Sequence, residues 1–303
     1  MNDYLESKIL HDIAEHMKKV MVNKKISFSH NVADQDIFLE YMNALGKRII
    51  PKPRKVIYSK ELQKNIDNKS FSENGHPLSL ENAQNVVNLI LHFQQLFENG
   101  TDINNHLSTQ IFTSKRQDIL FNTWNIKHIH LNKTEASSKS AMRNNRADYL
   151  LFCVIEDDDV FFLDVRHHPN GDEFSSYSFL QIAFNNKWMN HLGFMEIGSN
   201  YVPYSMQPNV TNDKDIYELY SNRLNLAFDF EGHGFMSIAT GITGSGDKRA
   251  NVLYLNQLKK RIWKLPFSED DYVGFTPDND EGVSGVIMFY RNEEMYKIKL
   301  NLD

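Results

Sequence analysis

Residues 149–168 comprise three successive segments, which read YLLFCVI at 149–155, EDDD at 156–159 and VFFLDVRHH at 160–168. Both apolar runs are short and rich in aromatic and β-branched residues, which is typical of buried strands. The acidic residues between the two runs favour a solvent-exposed turn. The stretch therefore predicts an antiparallel hairpin with two largely covered faces.

A third strand is predicted just before this hairpin, where residues 124–131 read WNIKHIHL. Alternate side chains of a strand share a face, so His128 and His130 point to the same side while Ile129 and Leu131 face the core. After the hairpin, apolar residues at mainly helical spacing predict a helix over residues 178–191 that packs on the two strands. Together these elements form a central module of antiparallel sheet and helix.

The rest of the chain divides into a helical first part and a mixed last part. Apolar residues at helical spacing predict helices over residues 4–22, 31–44, 80–98 and 251–263. Polar or proline-rich composition predicts a connector, loops and further strands. These are the connector at 49–59, loops at 60–78 and 193–213, candidate strands within 217–230 and 235–242, and a closing hairpin over 283–290 and 295–300.

The predicted fold class is α+β, since helices and strands are segregated along the chain instead of alternating. A helical N-terminal region covers residues 1–115, and a central antiparallel sheet with a packed helix covers 116–192. A smaller mixed region covers 193–303.

Composition excludes several classes of protein. The net charge of -6 argues against a protein that coats nucleic acid through general positive charge, although it leaves room for a small basic site. The single cysteine, Cys153, excludes an intrachain disulfide and a multi-cysteine metal site. Because it lies inside an apolar run, we expect a buried structural thiol. No apolar run reaches the ~20 residues that span a bilayer, and the first residues lack a signal-peptide pattern. We therefore expect a cytoplasmic protein that does not contact a membrane.

The paired histidines suit acid–base chemistry, because imidazole titrates near neutral pH. One of His128 and His130 would act as general base and the other as general acid in phosphodiester cleavage. Arg146 or Arg166 would neutralise the phosphate, since a guanidinium stays charged and binds two oxygens. Asp164 alternates with Arg166 along the strand and could orient this arginine or a histidine.

Two other interpretations of the histidines remain open. The pair could hold a divalent metal, with His167, His168 or Asp164 completing the coordination shell. Alternatively, the imidazoles could be structural, with one solvated and one hydrogen bonded in the core. The absence of a clear third ligand at a usual spacing, together with the nearby arginines, favours a site that needs no metal and no cofactor.

The central module also resembles a known family. Arg146, then YLLF at 149–152, an acidic turn and VFFLDVRHH at 160–168 resemble the central hairpin of RelE/ParE-type toxins, over residues 118–191. The resemblance implies a curved antiparallel sheet with packed helices and metal-independent ribonuclease activity. In that family, basic and histidine side chains on the sheet activate the ribose 2′-hydroxyl and stabilise the cleaved phosphate. The positions that this implies here are His128, His130, Arg146, Arg166 and His168.

The sequence thus favours a cytoplasmic nuclease-like protein that cleaves RNA, as a toxin or a phage-defence effector. RNA and a protein partner, such as an antitoxin or a regulator, are the expected partners. Two alternatives belong to other classes. One is a non-enzymatic interaction module with structural histidines, and the other is a metal-dependent hydrolase that uses the His-x-His pair.

Overall fold

The computed structural model describes residues 2–73, 75–114, 118–132, 148–168, 177–197, 212–222, 227–237, 243, 248–264, 272–278, 285–291 and 294–300. In chain order the elements begin with α1 (Asn2–Asn23), α2 (Asp34–Gly46), β1 (Lys55–Tyr58), α3 (Lys60–Asn68), β2 (Ser72–Glu73), β3 (His76–Pro77), α4 (Leu80–Glu98), two 3-10 turns (Asn104–His106 and Thr109–Phe112) and α5 (Ile119–Trp124). They continue with β4 (Ile126–His130), β5 (Tyr149–Ile155), β6 (Asp159–His167), α6 (Tyr177–Asn185), β7 (Phe194–Glu196), α7 (Asp213–Ser221), β8 (Ala227–Phe230), β9 (His233–Ser237), α8 (Arg249–Trp263), β10 (Tyr272–Pro277), β11 (Gly285–Arg291) and β12 (Glu294–Leu300).

The fold class is α+β, as predicted, and the chain forms two compact units. One unit comprises Met1–Gly46, Ile111–Arg116 and Ala250–Asp303, and the other comprises Lys47–Gln110 and Gln117–Arg249. The regions proposed from the sequence follow the chain, whereas each unit combines segments that are distant along it. In the part of the chain that the structure describes, no helix is both long enough and apolar enough to cross a membrane.

The first unit packs α1, α2 and α8 with the sheet β10-β11-β12. Apolar residues of α1 recur every four positions and are buried, including Ile9, Ile13 and Met17. They share a core with Leu255 of α8 and Ile287 of β11. The predicted helix at 251–263 and the closing hairpin, now β11 and β12, are both present.

The second unit is built on a sheet of strand order β1-β6-β5-β4. The β5–β6 hairpin and its antiparallel neighbour β4 confirm the prediction. The expected wholly antiparallel sheet is wrong, however, because β1 pairs with β6 in parallel, from Lys55↔Asp159 to Tyr58↔Phe162. The sequence predicts an extended connector here, with a phosphate or partner contact as the alternative. Its backbone is extended, but its hydrogen bonds are made to a strand about one hundred residues later.

The predicted loop at 60–78 is also wrong, since it contains helix α3 and the small hairpin β2–β3. Ser59 caps α3 by accepting a hydrogen bond from the N–H of Leu62, and its hydroxyl donates to the carbonyl of Leu163 at 2.6 Å. Leu62 is fully buried. The cap and this buried apolar residue help to hold a helix whose composition is otherwise polar, together with hydrogen bonds from Asn185 and Asn186 to Glu61.

Helices cover both faces of the central sheet. On one face the Phe179 ring of α6 lies 4.7 Å, centroid to centroid, from Phe152 of β5. On the other face Phe97 of α4 lies 5.7 Å from Phe162 of β6. Helix α6 ends at Asn185, earlier than predicted, because residues 186–193 form turns. Cys153 is fully buried, as its place in an apolar run predicted.

Candidate functional site

Three histidines of the central sheet form a row, with His128 and His130 on the edge strand β4 and His168 just after the inner strand β6. The ring centroids of His128 and His130 are 6.2 Å apart, and those of His130 and His168 are 5.8 Å apart. All three side chains are partly buried. The prediction that His128 and His130 share one face of a strand beside the hairpin is confirmed. These residues are called the histidine row below.

The row is positioned by the sheet register. Strand β4 pairs with β5, which places His128 opposite Phe152 and His130 opposite Leu150. His168 lies just beyond the end of β6, where its N–H donates to the carbonyl of Asp148 at 2.7 Å. Backbone hydrogen bonds of three neighbouring strands therefore fix where the three imidazoles lie.

Asp118 also belongs to the site, although it is not among the residues predicted from the sequence. Its Oδ2 atom lies 3.9 Å from Nδ1 of His128, and its Oδ1 atom accepts the N–H of Phe121 at 3.0 Å as the N-cap of α5. An aspartate immediately before an apolar helical run is a capping signal, so the sequence did contain a sign of it. The carboxylate is oriented by the helix and is directed towards an imidazole.

The pKa of His128 lies below its usual value, and the main cause is burial. Asp118 opposes this shift, because its negative charge favours the protonated ring. The positive charges of His168 and Lys127 reinforce the lowering. A histidine held neutral beside a carboxylate has the protonation state that a general base requires.

Arg166 lies in a separate network between β6 and α6. Its Nε donates to Oδ2 of Asp164 at 2.8 Å, and its Nη2 donates to the hydroxyl of Ser178 at 2.6 Å. Its guanidinium carbon lies 4.1 Å from the centroid of the Phe179 ring. Of the three roles considered for Asp164, orienting Arg166 is the one that this geometry shows. Burial raises the pKa of Asp164, and the charge of Arg166 opposes that rise.

The remaining sequence candidates are not part of the row. His167 belongs to the opposite side of β6, where its Nε2 lies 3.2 Å from Oε1 of Glu73. Arg146 lies outside the residues that the structure describes. Among those that it does describe, no group of three or more histidine, cysteine, aspartate or glutamate side chains is arranged to hold a metal ion.

Three lysines lie near Asp118, and they are too far apart along the chain for the sequence to show them as a group. The Nζ atoms of Lys127 and Lys248 lie 4.1 Å and 3.8 Å from the centroid of the same ring, that of Phe121. The negative charge of Asp118 acts to raise the pKa values of these two amines and of Lys47, so all three lie near this carboxylate. Lys47, Lys127 and Lys248 are called the lysine cluster below.

Burial lowers the pKa of every amine in the lysine cluster. The pKa of Lys127 falls to about 7, with a further contribution from the charge of Lys248. The pKa values of Lys47 and Lys248 each fall to about 8, and Asp118 opposes the shift in both. These amines gain from an approaching anion, because a negative charge would offset their lost hydration.

The site thus combines an imidazole row with a carboxylate, and the buried amines of the lysine cluster lie near that same carboxylate. Lys127 alternates with His128 along β4, so its side chain leaves the other face of the strand. Comparison with known protein families, with curated proteins and with solved structures finds no match for this chain.

Proposed function

We propose that this protein cleaves RNA by histidine acid–base chemistry that needs no metal ion, as a toxin-like or phage-defence effector in the cytoplasm. The observation that carries the proposal is the histidine row, in which His130 has a neighbouring imidazole about 6 Å away on each side. Cleavage at a ribose needs a base for the 2′-hydroxyl and an acid for the leaving oxygen. A row of imidazoles supplies both.

The roles follow from the order of the row. In an in-line displacement the attacking and leaving oxygens lie on opposite sides of phosphorus, so the two outer imidazoles serve them. His128 takes the 2′-hydroxyl proton as the 2′-oxygen attacks phosphorus, and Asp118 stabilises the resulting imidazolium. His168 gives a proton to the 5′-oxygen as its bond to phosphorus breaks. His130 donates a hydrogen bond to a non-bridging oxygen. The products are a 2′,3′-cyclic phosphate and a free 5′-hydroxyl.

The lysine cluster supports an anionic substrate. Lys127 and Lys248 are held against one aromatic ring, and Lys127 also influences the pKa of His128. A phosphate beside these amines would raise their pKa values and draw protons onto them. In this proposal the lysine cluster shares the phosphate-binding role that the sequence assigned to Arg146 or Arg166, because the carboxylate of Asp164 already neutralises the guanidinium of Arg166.

The test uses purified full-length protein and a mixed pool of fluorescently labelled RNA. We expect cleavage that survives chelators of divalent metals and yields 2′,3′-cyclic phosphate ends by mass spectrometry. An oligonucleotide with deoxyribose at the scissile position should resist cleavage, because it lacks the nucleophile. Cleavage of the deoxy substrate, or activity lost to chelator and restored by a metal ion, would instead indicate the metal-dependent hydrolase.

Cleavage must also depend on the row itself. His128→Ala should reduce the rate by roughly 10²–10⁴, as expected for loss of a general base. His76→Ala is the matched control, because His76 is an exposed imidazole in hairpin β2–β3 of the same unit. Equal activity of wild type and His128→Ala would remove His128 from the mechanism. Absence of cleavage of every RNA by wild type would favour the interaction module.

A further inference from the structure

The central sheet has an edge that its own strands do not complete. Within the described residues, β1 pairs with β6 on one side and has no strand on the other. In this parallel pair, the N–H groups of Lys55 and Ser59 donate to the carbonyls of Asp158 and Phe162. The pattern alternates, so Val56 and Tyr58 direct their backbone N–H and C=O groups away from β6. Such an edge is a template for another strand.

A groove runs beside this edge. It has a volume of about 700 Å³ and is bounded by residues 55–58 of β1 and by one side of α3. Among the described residues that line it are three lysines, Lys55, Lys60 and Lys64. One carboxylate, that of Asp67, also lines it, and this carboxylate accepts a hydrogen bond from Gln63. The groove is therefore locally basic on a chain whose net charge is -6.

We propose that β1 and α3 form a docking site for an acidic, extended segment of a partner protein, which adds as a fifth strand to the central sheet. Backbone groups of the segment would pair with those of Val56 and Tyr58, as in other cases of strand addition. Its carboxylates would meet the lysines of α3. A peptide fits better than a nucleic acid because an open strand edge offers donors and acceptors at peptide spacing.

The spacing of the lysines matches that of a strand. Lys60 and Lys64 are four residues apart on a helix, so their Cβ atoms are about 5–6 Å apart. Side chains on one face of a strand repeat every two residues, at about 6.6 Å. Acidic residues at alternate positions would therefore reach both lysines. Lys60 Nζ also donates to the carbonyl of Asn185 at 3.3 Å, at an exposed position where a carboxylate can replace that acceptor.

The direct measurement uses synthetic capped peptides of about seven residues, with glutamate at alternate positions and valine, isoleucine, threonine or tyrosine between them. Binding to the full chain is followed by calorimetry and by amide hydrogen exchange. We expect dissociation constants in the range of about 10–100 μM for the better peptides. In the free protein, the amides of Val56 and Tyr58 should exchange much faster than that of Ile57, and peptide should slow them.

Two substitutions separate backbone pairing from charge. Val56→Pro removes an outward N–H without removing a bond to β6, so it should weaken binding at least about tenfold, whereas Val56→Ile should not. Lys60→Glu with Lys64→Glu should also weaken it at least about tenfold. The matched control is Lys260→Glu with Lys264→Glu, an exposed pair at the same spacing in the other unit, with the same change of charge. If Val56→Pro lowers the melting temperature, its weaker binding could reflect partial unfolding. In that case the slowed exchange of the Val56 and Tyr58 amides in wild type decides whether the peptide pairs with β1.

Several outcomes would overturn this inference. One is that no peptide of the set binds more tightly than about 1 mM. Another is binding that leaves the exchange of Val56 and Tyr58 unchanged. An RNA oligonucleotide that competes for the lysines but is insensitive to Val56→Pro would make the groove a nucleic-acid site. Dimerisation of the protein that Val56→Pro abolishes would assign the edge to a second copy. None of these results bears on the histidine row, so the proposed function stands or falls separately.

Discussion

The two carboxylate oxygens of Asp118 serve two different elements, and one of them is directed to His128. Oδ2 lies 3.9 Å from Nδ1 of His128, while Oδ1 accepts the N–H of Phe121 at 3.0 Å. The first turn of α5 therefore holds the carboxylate that counteracts the lowered pKa of the imidazole. Capping of a helix and tuning of a histidine are joined in a single side chain.

Asp118→Asn and Asp118→Ala separate these two effects. Both remove the charge, so both should lower the pKa of His128 further, as measured by NMR titration of the ring. Both variants also lose the charge that compensates the lysine cluster, and only the alanine variant loses the cap as well. In urea denaturation the free energy of unfolding of the alanine variant should therefore lie about 1 kcal/mol below that of the asparagine variant. An unchanged or raised His128 pKa in both variants would show that the carboxylate does not act on the ring.

The lowered pKa of His128 predicts a loss of stability in acid. The unfolded ring titrates near the ordinary value of 6.5, and the folded ring titrates below it. As pH falls through 6.5, the unfolded state takes up a proton that the folded state does not, so the free energy of unfolding decreases. His128→Gln should flatten this part of the profile. Identical pH profiles of stability for wild type and variant, from urea denaturation, would contradict the shift.

Lys127 predicts the corresponding effect in base. Its pKa is about 7 in the folded protein and 10.5 in the unfolded chain, so stability should rise as pH increases between these values. Lys127→Met should reduce that rise, to which Lys47 and Lys248 also contribute through their own lowered pKa values. It should increase stability at pH 7 by about 1–4 kcal/mol, because a buried cation is replaced by an apolar group. The same change should weaken RNA binding. Lys64→Met, at an exposed position, is the control and should alter neither.

Arg166→Ala tests whether this arginine supports the fold or the substrate. Its removal leaves the carboxylate of Asp164 buried without its guanidinium, which should cost about 3–5 kcal/mol at neutral pH. Without Arg166 the pKa of Asp164 should rise further, so the folded state binds a proton more readily and the loss should shrink as pH is lowered. An unchanged melting temperature, with a salt-dependent loss of RNA affinity, would instead indicate a phosphate-binding arginine.

His130→Ala separates an enzyme from an interaction module. If His130 acts on substrate, cleavage should fall by roughly 10²–10⁴ while the thermal melt stays close to that of wild type. If its ring is a structural part of the core, the melting temperature should fall, because the free energy of unfolding decreases by ~1–3 kcal/mol. A lowered melt, combined with no cleavage of any RNA by wild type, would support the interaction module.

The hairpin and the histidine pair could be predicted because local pattern determines them. The β5 and β6 segments are apolar and interrupted by an acidic turn, and the alternation around Ile129 sets the faces of β4. The place of β1 in the sheet could not be predicted. The prolines before it indicate extended backbone, but they do not specify which strand it pairs with. Helix α3 was missed because its polar sequence shows only one deeply buried apolar position, Leu62.

The lysine cluster was beyond the reach of local pattern for another reason. Lys47, Lys127 and Lys248 are far apart along the chain, and each is ordinary in its own neighbourhood. Only the fold brings them to Asp118, and only burial changes their pKa values. The role of Asp164 could be narrowed to three options from the sequence, because alternation places it beside Arg166, but choosing among them required the actual distances.

The segments of the two units alternate along the chain, and this order has a consequence for synthesis on the ribosome. The first unit buries Ile13 of α1 against a core that also contains Leu255 of α8. At about 5–20 residues per second, the ribosome needs on the order of 10–50 seconds to translate the roughly 240 residues between them. During that time α1 and α2 lack the part of their core that α8 and β11 supply, whereas the other unit has its last segment once residue 249 emerges. We therefore expect the second unit, which contains the central sheet, to fold first. Nascent chains halted before α8 should depend on chaperones that shield α1 and α2.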